Sequence, residues 1–156
     1  MLFRSARTLL ICDRGWHYDV QTARPVAGWS DYDHGGGMLA VLAIAWHPRS
    51  GEIATGRETG DVEIRSAADG RILRQRSLHG AKLRAVAWHP AERRIASASS
   101  DGMVKILAAD TLEELLVFPD PQRDVRALAW SPDGRTLASG AADGTIFLRD
   151  SERGEP

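Results

Sequence analysis

Trp130-Ser131-Pro132-Asp133-Gly134-Arg135-Thr136-Leu137-Ala138-Ser139-Gly140, continued by Asp143-Gly144-Thr145-Ile146, is the stretch on which the reading of this chain turns. It returns in diverged form upstream. The tripeptides Trp46-His47-Pro48, Trp88-His89-Pro90 and Trp130-Ser131-Pro132 lie 42 residues apart, and the copies align from Leu39 to Pro156 without insertions. A period of about 40–45 residues marks one supersecondary unit that is copied and stacked.

Each copy begins with a strand-like run: Ala43-Ile44-Ala45-Trp46, Ala85-Val86-Ala87-Trp88 and Ala127-Leu128-Ala129-Trp130. Large apolar residues two apart share one face, and alanine fills the alternate positions, as close approach of a second surface requires. Both faces are therefore expected to be buried. Pro48, Pro90 and Pro132 stop the run, because proline cannot donate to a strand ladder.

A second run follows at Ile53–Gly56, Ile95–Ala98 and Leu137–Gly140, then a tight turn at Thr59-Gly60, Asp101-Gly102 and Asp143-Gly144. Glycine there supplies the positive φ that hairpin turns need. The third run is Val62–Arg65, Val104–Leu107 and Ile146–Arg149, and a more polar fourth occurs twice, around Ile72-Leu73 and Leu115–Phe118. Four strands per period, graded from apolar to polar, describe a blade running from a central axis to solvent. The expected class is all-β, with blades of four-stranded antiparallel sheets.

These residues resemble the WD-repeat (tryptophan–aspartate) β-propeller family, over residues 39–150. The departures are specific. The positions of the namesake pair read Arg65-Ser66, Leu107-Ala108 and Arg149-Asp150. The family's Gly-His element leaves only His79, nine residues before Trp88, with Gly37 and Pro121 at the corresponding places. The His–Ser/Thr–Asp–Trp network that the resemblance implies is thus incomplete in every copy. It comes nearest in the second, with His79, Ser97 or Ser99, and Asp101, and apolar stacking is expected to hold the blades instead.

Residues 1–38 carry a fainter, partial blade: Thr8–Cys12 as a second strand, Asp13-Arg14-Gly15 as a turn, Trp16–Val20 as a third strand and Pro25–Trp29 as the outer one. Full repeats are expected at 39–80 and 81–122, with 123–156 a third lacking its outer strand. The total is 14 strands, about three and a half blades, and an incomplete ring, since known propellers typically use 4–8 blades.

Bulk properties exclude several classes. The chain has 156 residues, a net charge of −1 and 43% apolar residues, enough for a packed core and too little charge to argue for DNA or a membrane surface. Cys12 is the single cysteine, which rules out an internal disulfide and suits a reducing compartment. The apolar run Thr8–Cys12 is shorter than a signal-peptide core, and no stretch approaches the roughly 20 residues of a membrane span. A soluble, unprocessed chain in the cytoplasm is the expectation.

Several motifs invite chemistry. His34-Gly35-Gly36-Gly37 matches an esterase oxyanion loop, but the Gly-x-Ser-x-Gly elbow that chemistry needs does not occur. Asp31, Asp33 and His34 crowd one glycine-rich loop and read as turn residues. His47 and His89 sit at strand ends, where packing accounts for them. The basic stretch Arg71, Arg74, Arg76, Lys82, Arg84, Arg93 and Arg94 faces only Glu92 in sequence and lacks the interleaved aromatics that stack bases.

The functional expectation is a non-enzymatic scaffold for protein–protein interaction, without cofactor or metal. The resemblance implies that partners meet loops on one face of the ring: His79, Lys82, Arg84, Asp124 and Arg126, with Glu58, Ser100 and Ala142 before the turns. The chain is expected to be a fragment, or part of a ring completed by another chain or a second copy. A hydrolase on a propeller scaffold and a nucleic-acid-associated propeller using residues 71–94 are the alternatives. Membrane is not an expected partner.

Overall fold

The computed structural model describes residues 8–11, 16–19, 25–28, 40–119 and 124–153. Its strands are β1 (Thr8–Ile11), β2 (Trp16–Asp19), β3 (Pro25–Gly28), β4 (Val41–Trp46), β5 (Glu52–Arg57), β6 (Asp61–Ser66), β7 (Ile72–Ser77), β8 (Leu83–Trp88), β9 (Arg94–Ser99), β10 (Met103–Ala108), β11 (Glu114–Pro119), β12 (Val125–Trp130), β13 (Thr136–Ala141) and β14 (Ile146–Asp150). They form four antiparallel meanders, β1–β3, β4–β7, β8–β11 and β12–β14. The fold is all-β, as partial propeller blades require. Cys12, the Asp31–Gly37 loop and Pro121 lie outside the described residues.

Every sheet grows by adding the next strand in sequence, because a short loop returns each strand beside the last. The β5–β6 and β9–β10 connections are three-residue loops, with Gly60 at φ 89° and Gly102 at φ 79°. Gly60 N–H donates to Arg57 O at 3.1 Å and Gly102 N–H to Ser99 O at 3.2 Å. Glycine therefore closes a four-residue turn in the left-handed region; it is not half of a two-residue turn. At Gly60 an added Cβ would also collide with the backbone oxygen of His79, so this turn touches the next blade.

The blades stack through their inner strands. Ala43, Ala54, Val62 and Ile64 of one sheet share a core with Leu83, Val86 and Trp88 of the next. Ala96, Ala98, Val104 and Ile106 meet Val125, Leu128 and Trp130 in the same way. At Gly56 a Cβ would collide with Leu83, so the missing side chain makes room for a neighbour's leucine.

Each interface also carries one repeated hydrogen bond. Trp88 Nε1–H donates to Ala45 O at 3.0 Å and Trp130 Nε1–H to Ala87 O at 3.2 Å. The histidines of the tripeptides close the same contact. His47 lies edge-on to Trp88 with ring centres 4.6 Å apart, and His89 lies edge-on to Trp130 at 4.8 Å. Their Nδ1 atoms accept turn amides, from Arg49 and Ser50 at His47 and from Ala91 and Glu92 at His89. The proton of the neutral ring then sits on Nε2, and His89 Nε2 donates it to Gly134 O at 3.1 Å. Both histidines pack strand ends, as their place in the repeat suggests.

Burial of the inner strand is greatest in the middle of the stack, where no residue of β8 is exposed. Trp88 is 7% exposed, whereas Trp46 is 39% exposed, and Ala127 and Ala129 of β12 are exposed. The expectation drawn from the alanine pattern is corrected for β4 and β12, because alternation shows what a face is made of and not whether a neighbour covers it. Trp88→Ala should cost about 3–5 kcal/mol, the range for a buried aromatic. Trp46→Ala should cost clearly less. Urea midpoints of the two variants, compared with the parent, measure this order.

Candidate interaction face

The second strand of each blade carries a hydroxyl at one position: Thr55, Ser97 and Ser139, all buried. A buried hydroxyl without a partner costs roughly 1–3 kcal/mol, so each must be satisfied. In the middle blade the solvent-side loop supplies His79. Its Nε2 lies 2.9 Å from Ser97 Oγ, and its Nδ1 lies 3.1 Å from Asp101 Oδ2. Asp101 in turn accepts from the amides of Gly80 at 3.0 Å and Met103 at 2.8 Å, while Ser99 accepts the Asp101 amide. Ser97, and not Ser99, is thus the histidine's partner. Three members of the family network are formed here, and buried Leu107 stands where the tryptophan would be.

The tandem blades on either side solve the same problem from the opposite side. Arg149, at the tryptophan position, donates to Ser139 Oγ and lies 4.8 Å from the centre of the Phe147 ring and 5.4 Å from that of Phe118. In the first full blade Arg65 and Arg57 both bind Glu63, which also accepts from Thr55 Oγ1 at 3.1 Å. Arg65 reaches Gly70 O as well, at 3.1 Å. Polar networks are thus buried within the blades beside the apolar stacking that joins them. Two arginines and a carboxylate are buried in one blade, and the loop-histidine position and the tryptophan position change together: Gly37 with Arg65, His79 with Leu107 and Pro121 with Arg149.

Ser97, His79 and Asp101 stand in the bonding order of a hydrolase triad. Chemistry there would need access, and the His79 side chain and Ser97 are both fully buried. The set is structural. His79 is also corrected as a contact residue, since a partner at the surface would not reach its ring.

The remaining candidates come together. Glu58 N–H donates to Ala40 O, Ser100 N–H to Lys82 O and Ala142 N–H to Asp124 O, at 3.0, 3.0 and 2.9 Å. This one bond, repeated in each blade, sets every turn beside the entry to its inner strand. Side chains then link neighbouring blades. Lys82 pairs with Glu58, and Arg84 Nε donates to Ser100 Oγ at 2.8 Å while lying 3.5 Å from Asp124 Oδ1. Arg126 Nε donates to Asp124 Oδ2 at 2.9 Å. Burial pushes the Asp124 carboxyl up, but hydrogen bonds from Ser100 and Arg126 outweigh it and hold its pKa below the usual value. The result is a rim of alternating sign with exposed Lys82 and Arg126 and the exposed turn residue Ala142.

The basic stretch is not a basic patch. Glu52 binds Arg93 at 2.6 Å and Arg74 at 3.0 Å, Asp110 binds Arg93 at 2.7 Å, and Glu92 binds Arg94 at 2.8 Å. Burial alone would raise the Glu52 carboxyl; the hydrogen bonds from Arg93, Arg74 and Ser50 bring it down to about 2. Arg76 is held by Leu112 O at 3.0 Å. The sequence shows Glu92 alone beside these cations because their partners come from other strands. Among the described residues no group of three His, Cys, Asp or Glu side chains could hold a metal, and no helix is long and apolar enough to cross a membrane.

The family model "WD domain, G-beta repeat" matches residues 66–106 and 112–150, and the chain belongs to that family. Each match takes the outer strand of one sheet and the three inner strands of the next, so sequence repeat and blade are offset by one strand. The chain is similar in structure to the computationally designed Ika8 protein, with a TM-score of 0.71 and 25% identity over 90% of this chain and 41% of that one. It is also similar to a chain of the Mitotic Checkpoint Complex, with a TM-score of 0.81 and 19% identity over 96% of this chain and 44% of that one. This chain thus spans about two fifths of the length of those solved chains. No curated protein sequence matches it.

Two outcomes test the buried networks. Glu63→Gln should destabilise the fold by about 3 kcal/mol, because it leaves Arg57 and Arg65 buried against a neutral amide; denaturant unfolding measures it. The second concerns acid. Burial lowers the His79 pKa, against the opposing pull of Asp101, and burial with Arg93 lowers that of His47. Between the folded pKa values and the ordinary 6.5, the unfolded chain binds more protons. Stability should be full above about pH 6.5 and fall as the pH drops below it, and His79→Gln should flatten that slope in urea titrations.

Proposed function

We propose that this chain is a non-enzymatic scaffold that binds a protein partner through the rim of Glu58, Lys82, Arg84, Ser100, Asp124, Arg126 and Ala142. The observation that carries this reading is the rim itself. One backbone bond repeated three times fixes the loops, and charges of alternating sign run across two blade junctions on that rigid base. Alternating charge suits a surface of mixed charge, which proteins offer. A polyanion would call for one sign throughout.

A chain of similar fold lies in the crystallised Mitotic Checkpoint Complex, which supports a protein partner. The nucleic-acid alternative loses support because Glu52, Asp110 and Glu92 pair with Arg74, Arg93 and Arg94 of the stretch it relied on. The hydrolase alternative loses support because the Ser97–His79–Asp101 set is buried. We further propose that the ring is completed by blades from beyond these 156 residues and that the protein works in the cytoplasm, to which the single cysteine is suited.

Arg84→Glu combined with Arg126→Glu should reverse the rim's charge around Asp124 while leaving the circular dichroism spectrum unchanged. Partner proteins recovered on the immobilised parent chain should be lost from the double variant, and their recovery should fall with rising salt. Equal recovery on both chains would overturn the assignment of this rim.

A further inference from the structure

The sheets β4–β7 and β8–β11 diverge toward the perimeter, and cross-strand register shows where. In the second, Val86, Ser97, Lys105 and Val117 form one row across β8, β9, β10 and β11. Lys105 Nζ donates to Leu78 O at 2.6 Å, so this row faces the preceding blade. Its first three members are buried, whereas Val117 is 40% exposed. The row opposite, in the first sheet, is Ala43, Gly56, Val62 and Arg76. Ala43 and Val62 belong to the core that joins the two blades, and Arg76 stands exposed at the end of the row. The junction thus opens outward into a groove between the outer strands β7 and β11.

The next junction closes the same position. Phe118, one 42-residue period after Arg76, is buried and lies 5.4 Å from the Arg149 guanidinium. At the first junction the side chain is instead a cation whose charge is left over. Arg76 donates to neutral Leu112 O at 3.0 Å, and among the described residues it forms no ion pair. The acids of this region are engaged elsewhere: Arg74 and Arg93 share Glu52, and Glu114 takes Lys105 at 2.8 Å. Beside the cation β11 exposes Val117 and also Leu115, which is 47% exposed at the register shift of the strand. Both walls are edge strands, so each keeps a row of backbone N–H and C=O groups without a strand partner among the described residues.

We propose that this groove takes an extended segment of a protein partner, with an aliphatic side chain against Val117 and Leu115 and a carboxylate on Arg76. An extended chain is what an open strand edge accepts, because it continues the ladder that ends at β11. Its alternate side chains fall on one face, so residues two apart can meet the valine and the cation. An acid is called for because Arg76 carries a charge that no carboxylate of the described residues balances. Strand addition suits β11 better than β7. Arg74 and Arg76 discourage pairing on β7, whereas the same positions of β11 are Leu116 and Phe118. The groove shares no residue with the rim of Arg84 and Arg126, so it is a second surface beyond the one proposed there.

A short labelled peptide with valine and aspartate alternating at every second position, and threonine between them, tests this by fluorescence anisotropy on the 156-residue chain. Saturable binding with a Kd of about 10–100 μM is expected, and it should weaken as salt rises. The same peptide with lysine for aspartate should bind at least about tenfold more weakly. Arg76→Glu and Val117→Asp should each weaken the aspartate peptide about tenfold or more. Both side chains are exposed, so the circular dichroism spectra should match the parent's; Arg76→Gln replaces the charge reversal should that variant fail to fold. The chain carrying Arg84→Glu and Arg126→Glu should bind the peptide as the parent does. Absence of saturable binding up to about 1 mM, equal affinity for the lysine peptide, affinity unchanged in either groove variant, or binding lost with the rim variant overturns the proposal. The rim is read separately, by recovery of partners that depends on Arg84 and Arg126, and stands or falls on that assay alone.

Discussion

A sheet face lined with alanine and branched aliphatic residues cannot be left against water without cost, and in this chain the faces of β4–β7 and β8–β11 are each covered by the inner strand of the next repeat. The burial is roughly proportional to the apolar area removed, and it is directionless. Direction comes from the indole N–H of Trp88 and Trp130, each of which can donate only once and finds the carbonyl of an alanine on the preceding blade. The neighbouring histidine closes the contact by standing edge-on to that indole while its Nδ1 caps its own turn. Ser131 replaces histidine in the third repeat and serves its own turn, accepting from Thr136 N–H at 2.9 Å. The clamp from one blade to the next thus joins side chains of the tripeptides to the carbonyl of the alanine that precedes each one's tryptophan.

The second constraint is the hydroxyl at Thr55, Ser97 and Ser139. It is buried in all three blades, where water does not reach, and some polar group must meet it. The middle blade uses a histidine from the loop before its inner strand, held by Asp101. The other two use an arginine from the position where the family keeps tryptophan, directly at Ser139 and through Glu63 at Thr55. Loss of the loop histidine and gain of the arginine are therefore one change. Buried ions of this kind are weak as sources of stability but severe when one member is removed, which makes Arg57, Glu63 and Arg65 a point of specificity in the first full blade.

Much of the fold was legible because its signals are local. Among the described residues, fourteen strands in the order three, four, four and three follow from alternation, proline stops and turn glycines, and the strands of β1–β3 end within a residue or so of the runs that mark them. The site was legible in part. Spacing from Trp88 picks out His79 and its partners, and the period groups Lys82 with Asp124 and Glu58 with Ser100. Charge pairing was not. Glu52 meets Arg93 across 41 residues and Arg74 across 22, and no local pattern joins them. The same blindness made His79 look like a surface residue when its side chain is enclosed.

The sequence by itself determined that this chain is a tandem of antiparallel sheets with a stacking face on each, since the 42-residue period repeats the chemistry of every strand and turn. Tertiary structure alone decided which of those faces are covered, which cations are neutralised and which hydroxyls are met from which side. The physical reason is that Val62, Val104 and Ile146 are alike as residues, and hydrophobic burial depends on what lies opposite. Two of them have a neighbouring blade and are sealed; the third faces water.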